Sequence, residues 1–471
     1  MKKILIFACG ILGMLSLNAQ NETFPLLYSQ YGINGTASYI GKAGAIGAIG
    51  GDIMASHYNP AGLGLYTRSE LTFSSGMDIT YTKSNFNGLN THDSYPAYNY
   101  GNLGMVLDFK NSSKDAFKHV QVSFGLNRLM NFNNRTKIVR NDLNKSYIDA
   151  FVMDNIVNNQ DSKNNFITSG VVSLDSNGTI SSVYTNGTFN QIKSIRESGY
   201  LNEFSMSLST NYENWLYLGA TLGIPFGDYT CKTSFSEERY VAGQSTGYYT
   251  YNTEQDLSAT GVNLKLGLIA KPVQWLRLGV AIHTPTYYSV KDDYYAEVQY
   301  NQWDGGWFPT LSYNMHTPFR FLTSAAVVLG NNKSKIAGTL SFDYEYADYS
   351  FMTFDMDDNT KTETELNNNI DNMFKSANTF RVGGEMKLDK MYLRAGYANI
   401  GNPYQSAIND GSWDYVTCGV GYKGKFYTFD LAYAYGKQSD GKYFMYSNDN
   451  NPITTTSINK HLIEATIGIR F

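Results

Sequence analysis

The sequence predicts an all-β fold: an antiparallel transmembrane β-barrel of about fourteen strands with an N-terminal plug in its lumen. Three observations predict it. First, the final segment alternates, with Leu462 the one residue that breaks its polar face. Ile463, Ala465, Ile467, Ile469 and Phe471 fall on one face, and Leu462, Glu464, Thr466, Gly468 and Arg470 on the other. Successive strand residues point to opposite sides, so one face suits hydrocarbon and the other suits water. Second, the connections between such segments alternate between short and long, as in barrels with short periplasmic turns and long outer loops. Third, beyond the N-terminal leader no apolar run approaches the roughly 20 residues that a membrane helix needs. The chain is nevertheless 15% aromatic, with 38 tyrosines and 43 glycines against 10 prolines.

Residues 1–19 read as a signal peptide. Lys2 and Lys3 precede the apolar run ILIFACGILGMLSL, and Ala19 supplies a small residue at the cut. Cys9 admits a lipoprotein leader as the alternative. Residues 20–66 read as the plug. Glycine crowds this stretch, which lets the backbone pack in a confined space. Ile40, Ile46, Ile49, Ile53, Met54 and Leu63 in the same stretch call for burial. Residues 67–471 read as the barrel with its extracellular loops.

The strands follow in order with a two-residue period. Leu71, Phe73, Met77, Ile79 and Tyr81 oppose Thr72, Ser74, Gly76, Asp78 and Thr80. Leu276, Leu278, Val280 and Ile282 oppose Trp275, Arg277, Gly279 and His283. Tyr427, Phe429, Leu431, Tyr433 and Tyr435 oppose Thr428, Asp430, Ala432 and Ala434. Asp108, Asp343, Glu345, Arg381, Glu385, Lys387, Arg394, Asp430, Glu464 and Arg470 all fall on the polar face. A lysine or arginine facing lipid at the midplane would cost roughly 2–4 kcal/mol, so these are expected in the lumen.

Short links are expected near 211–215, 271–274, 330–335, 388–390 and 423–425. Long loops are expected near 132–199, 228–255, 289–315, 348–377, 399–412 and 439–457. This pattern places the N-terminal segment and both termini on the periplasmic side. Within 132–199, Ile148, Phe151, Val152, Ile156 and Val157 outline a short amphipathic helix that would cap the mouth. Tyr294, Tyr295, Trp303, Trp307 and Phe308 form a candidate ligand groove, with an interfacial aromatic girdle as the alternative reading. Phe471 is the candidate assembly signal.

The remaining chemistry is sparse. A net charge of -4 gives no footprint for nucleic acid. Six scattered histidines show no close metal-ligand spacing, and no phosphate-loop or nucleophile motif stands out. No cofactor and no enzyme activity are expected. After cleavage only Cys231 and Cys418 remain, so no disulfide framework is expected, and a single bridge between them stays open.

The stretch GKAGAIGAIGGDIMASHYNPAGLGLYTRSEL resembles the N-terminal plug of the FadL family running into its first strand. The likeness rests on Gly41, Ala43 and Gly44, on Asp52 and Ala55, and on Asn59-Pro60-Ala61-Gly62 just before the strand. FadL proteins are outer-membrane transporters of long-chain fatty acids and other hydrophobic compounds. The resemblance implies a plug that moves when ligand binds and a lateral way out through the wall. It implies passive uptake of a hydrophobic small molecule, fatty-acid-like or aromatic. The expected partners are outer-membrane lipid, that ligand and the barrel-assembly machinery, with the protein a monomer. Two other functions stay open: a shuttle for exported proteins in a type IX-like secretion system, and a barrel enzyme.

Overall fold

The computed structural model describes residues 22–471, apart from 113–114, 149–164, 175–179, 183, 185, 302, 331–333, 357–359, 407–408, 439–440 and 444–452. The expected signal peptide lies outside the described residues. So do Phe151, Val152, Ile156 and Val157 of the expected amphipathic helix, while Ile148 is described and buried.

Fourteen antiparallel strands form the wall. They are β1 (Glu70–Phe86), β2 (Leu89–Lys110), β3 (Phe117–Asn131), β4 (Thr188–Tyr212), β5 (Leu216–Val241) and β6 (Gln244–Val273). Next come β7 (Leu276–His283, continued by Tyr287–Gln299) and β8 (Trp303–Trp307, Leu311–His316 and Arg320–Leu329). The rest are β9 (Ile336–Asp348), β10 (Ser376–Leu388), β11 (Met391–Ile400), β12 (Trp413–Lys423), β13 (Tyr427–Gln438) and β14 (Thr454–Arg470). The sheet closes on itself because β1 pairs with both β2 and β14, the latter from Glu70↔Arg470 to Asn85↔Thr455. Closure leaves no sheet edge, which is what lets strands cross lipid.

The two-residue period sorts the faces as expected. Leu71, Phe73, Phe429, Leu431, Ile463 and Ile467 are exposed on the outside, while Thr72, Ser74, Asp343, Glu345, Arg381 and Glu464 are buried inside. Such a continuous exposed apolar belt marks a membrane-facing surface.

Four of the expected long loops carry regular secondary structure. The segment 228–255 is the two-residue hairpin of β5 and β6, turning at Ala242 and Gly243. The segment 289–315 is mostly the outer part of β7 and β8. Within 132–199 a strand Asn134–Leu143 adds to the outer half of β4. The segment 348–377 carries the helix α4 (Thr360–Met373). Polar alternation persists beyond the membrane in these stretches, and the ladder persists with it. β1 and β2 add an outer hairpin whose turn, Asn87-Gly88, has positive φ at both residues, the geometry that an Asn-Gly pair favours.

The lumen segment runs the length of the barrel, which corrects the expected side of the N-terminal segment. The Glu22 Oε1 accepts from Asn369 Nδ2 of α4 at 2.7 Å, and Gln30 Nε2 donates to Gly411 O at 2.9 Å, both at the end with long connections. At the other end Arg68 Nη1 donates to Lys425 O in a short turn at 3.3 Å. The chain therefore enters at the outer mouth and descends to the short-turn rim. Phe471 sits at that rim, its N–H on Ser69 O at 3.1 Å. Within the segment are three short helices, α1 (Phe24–Leu27), α2 (Ala37–Ile40) and α3 (Ala55–Tyr58), and a 3-10 helix Pro60–Leu65. Thr36 caps α2 by accepting from Tyr39 N and donates its hydroxyl to Asp52, which also accepts from Met54 N at 3.0 Å.

Candidate functional site

Asn59, Pro60, Ala61 and Gly62 act together. Asn59 has extended backbone and caps the 3-10 helix by accepting from Ala61 N at 3.2 Å. Its amide donates to Gly47 O at 2.7 Å, tying the turn to the glycine-rich stretch. Pro60 at the first helical position supplies the fixed φ that such a start needs. The Pro60 carbonyl accepts from Ser209 Oγ of β4 at 2.7 Å. Ala61 packs against Tyr217 and Ile269, and the Gly62 carbonyl accepts from Gly51 N at 2.9 Å.

The wall makes room for this turn with three glycines. A Cβ on Gly219 would lie 2.3 Å from the Pro60 carbonyl carbon, one on Gly267 2.0 Å from Asn59 Oδ1, and one on Gly279 2.5 Å from Gly47 O. All three stand on the polar face of their strands, a signal legible in the alternation once a close partner is known.

Above this turn the segment is held by charge. The His57 ring bonds Glu203 Oε1 at 3.0 Å, and Glu203 also pairs with Lys265; all three are buried. His283 Nε2 bonds Tyr58 O at 3.0 Å, and the His57 and His283 rings lie 6.3 Å apart. Arg381 bonds the Tyr58 hydroxyl and Glu345, the latter at 2.9 Å. Arg320 bonds Glu345 and Ser29 O and lies 4.5 Å over the Tyr31 ring. Burial lowers the His57 pKa from its ordinary value, against the pull of Glu203, so the imidazole is neutral at pH 7. Further round the wall, Gly47 N donates to Asp343 at 2.8 Å, Ala43 N to Thr417 at 3.1 Å, and Ala37 N to Thr466 at 2.7 Å. Glu203, Lys265, Arg320 and His57 had not been singled out from the sequence. Glu203 and Lys265 do lie on the polar face of clean strands, but their convergence with His57 is a product of the tertiary fold.

A cavity of about 30 Å³ lies where the segment meets the wall, lined by Tyr31, His57, Tyr58, His283, Glu345 and three arginines, Arg128, Arg320 and Arg381. That volume suits water, far short of the roughly 150 Å³ that holds a benzene-sized solute. Outward of it lies a packed apolar cluster in which α1 joins Tyr288, Tyr313, Met315, Met352 and Phe354.

The wall has one interrupted border here. β1–β2 pairing runs out to Phe86↔Leu89, but β2–β3 pairing stops at Asn102↔Asn127. β3 then shifts register between Arg128 and Met130 in its pairing with β4. Arg128 Nε reaches Tyr100 O at 3.3 Å across this border.

The structure divides the predicted aromatic groove. Adjacent residues on a strand face opposite ways. Tyr295, Trp303 and Trp307 stand on the outer face of the β7–β8 hairpin, with the Tyr295 and Trp307 rings 5.3 Å apart. Tyr294 and Phe308 stack on the other face, against the aromatic cluster of Tyr147, Phe166 and Tyr251. Cys231 and Cys418 are both free thiols, the first buried and the second exposed.

No protein-family model and no curated protein matches the sequence. Solved structures do match in fold. A Pseudomonas aeruginosa FadL homologue aligns with a TM-score of 0.58 at 13% identity over 94% of this chain and 100% of its own. The Pseudomonas putida toluene transporter TodX aligns at 0.52 and 13% over 94% and 99%. The CymD monoaromatic hydrocarbon channel aligns at 0.51 and 11% over 93% and 98%. At these identities the likeness is one of architecture, and the chain has the fourteen-stranded barrel fold of the FadL-type transporters.

Proposed function

We propose that this protein is an outer-membrane channel, not an enzyme, for passive uptake of hydrophobic small molecules, with residues 20–66 as its plug. One observation carries the reading: a packed apolar cluster at the outer end adjoins a cavity where three guanidiniums face one carboxylate, directly against the plug. An apolar solute gains about 25 cal/mol per Å² of area it buries among such side chains. The guanidinium excess favours a solute with an anionic end, hence a fatty-acid-like ligand over a neutral aromatic. The interrupted β2–β3 border offers the sideways path into lipid. FadL and toluene transporters among the proteins of like fold support the class of solute. The expected partners are outer-membrane lipid and the barrel-assembly machinery, and the expected state is a monomer.

The test compares a null strain with wild type for uptake of labelled palmitate and labelled toluene, normalised to barrel abundance. The reading expects slower palmitate uptake in the null strain and a smaller effect on toluene. Equal rates for both solutes would sink it and would favour the protein-shuttle function instead.

A further inference from the structure

The outer face of the β7–β8 hairpin carries a built aromatic site that transport through the lumen does not use. Trp303 and Trp307 are 60% and 57% exposed. They flank Gly305, which stands opposite Glu297 and leaves room for the stem of that side chain between them. Glu297 fixes the site's geometry. Its Oε2 accepts from Trp303 Nε1 at 2.8 Å and from the Tyr295 hydroxyl at 2.7 Å, and its Oε1 accepts from Asn252 Nδ2 at 2.7 Å. The rings are thus held in place before any ligand arrives, which lowers the entropic cost of binding.

The site stands clear of the bilayer. Tyr295 pairs with Glu254 on β6, whose other end, Val273, is at the periplasmic turn. That is roughly 60 Å of strand at 3.3 Å per residue, where about 9–11 residues suffice to cross. These rings are therefore not an interfacial girdle.

Charge decides the occupant. All three donors to Glu297 are neutral, so its negative charge has no cation in this network. Lys232, on β5 opposite Glu254, already pairs with that carboxylate at 2.6 Å. Aromatic faces are themselves negative and attract cations, best of all over tryptophan. We infer that Trp303, Trp307, Tyr295 and Glu297 form an extracellular site for an alkylated ammonium group, such as the trimethylammonium of choline or of a methylated lysine. A neutral sugar ring would satisfy the rings but not the charge.

The experiment uses the full-length barrel in choline-free nanodiscs, titrated calorimetrically. The probes are choline, a trimethyllysine peptide, 3,3-dimethylbutan-1-ol as the uncharged isostere of choline, and a glucan oligosaccharide. Choline or the peptide should bind saturably, at least tenfold tighter than the isostere, and the tighter of the two identifies the source. Trp303→Ala and Glu297→Gln should each weaken that binding about tenfold while the barrel stays heat-modifiable. Equal binding of the isostere, binding of the oligosaccharide alone, or no binding by either cation overturns the inference. Palmitate uptake should not change in either variant, which separates this test from that of the transport reading.

Discussion

Gly219 and Asn59 show how single positions seat the plug. A Cβ at Gly219 would meet backbone, the Pro60 carbonyl carbon at 2.3 Å, and backbone cannot swing aside as a side chain does. Gly219→Ala should leave barrel abundance unchanged but unseat the plug, read as a several-fold rise in ion conductance in planar bilayers. Asn59→Ala removes the bond to Gly47 O and leaves that buried carbonyl short of a donor, about 1–3 kcal/mol. Glu203→Gln should cost more, about 3–5 kcal/mol, because it strands Lys265 in the interior. His57 adds a pH dependence. Docking keeps its pKa below the ordinary 6.5 through burial, so the released plug binds a proton more readily than the docked one. Docking is then unaffected above that pH and weakens as pH falls below it. Conductance should rise between pH 7 and pH 5 in wild type and stay flat in His57→Asn. Of these residues only Asn59 was legible as a site in the sequence, because a turn announces itself locally. The partners of His57 lie on β4 and β6, and no local spacing encodes that meeting.

Among the elements, the strands were legible because lipid outside and polar lumen inside impose a two-residue period. The short turns were legible too, and a cysteine at Gly424 should resist an impermeant thiol reagent added to intact cells; labelling there would reverse the assigned orientation. The strand extensions were not legible. Outside the membrane both faces of a strand are partly polar, so residues 228–255 read as loop although they pair throughout. The side of the N-terminal segment was also misread, because the turn pattern orients strands but says nothing of a chain threaded through the lumen. Cysteines at Glu22 and Asn369, whose side chains hydrogen-bond at 2.7 Å, should be joined by a short bismaleimide crosslinker in isolated membranes. β14 closes the barrel on β1 and is followed directly by Phe471, which is exposed. Phe471→Ser should therefore lower the heat-modifiable form in outer membranes through assembly rather than through lost packing.

At the scale of the molecule, the barrel is closed, and on the proposed reading the segment in its lumen must move. The cavity beside the lumen segment is only water-sized, and bonds from the wall grip the segment on many sides. On the proposed reading, a solute larger than water reaches the sideways path only by displacing part of it. The hydroxyls of Ser56 on the plug and Ser205 on β4 lie 3.2 Å apart, which makes them a natural position for a lock. The most direct test is palmitate uptake by a Ser56→Cys, Ser205→Cys double variant, with Cys231 and Cys418 replaced by alanine. Oxidised, it should take up palmitate no faster than a null strain, and dithiothreitol should restore the rate. Uptake at the wild-type rate with the disulfide shown to be formed would contradict the account.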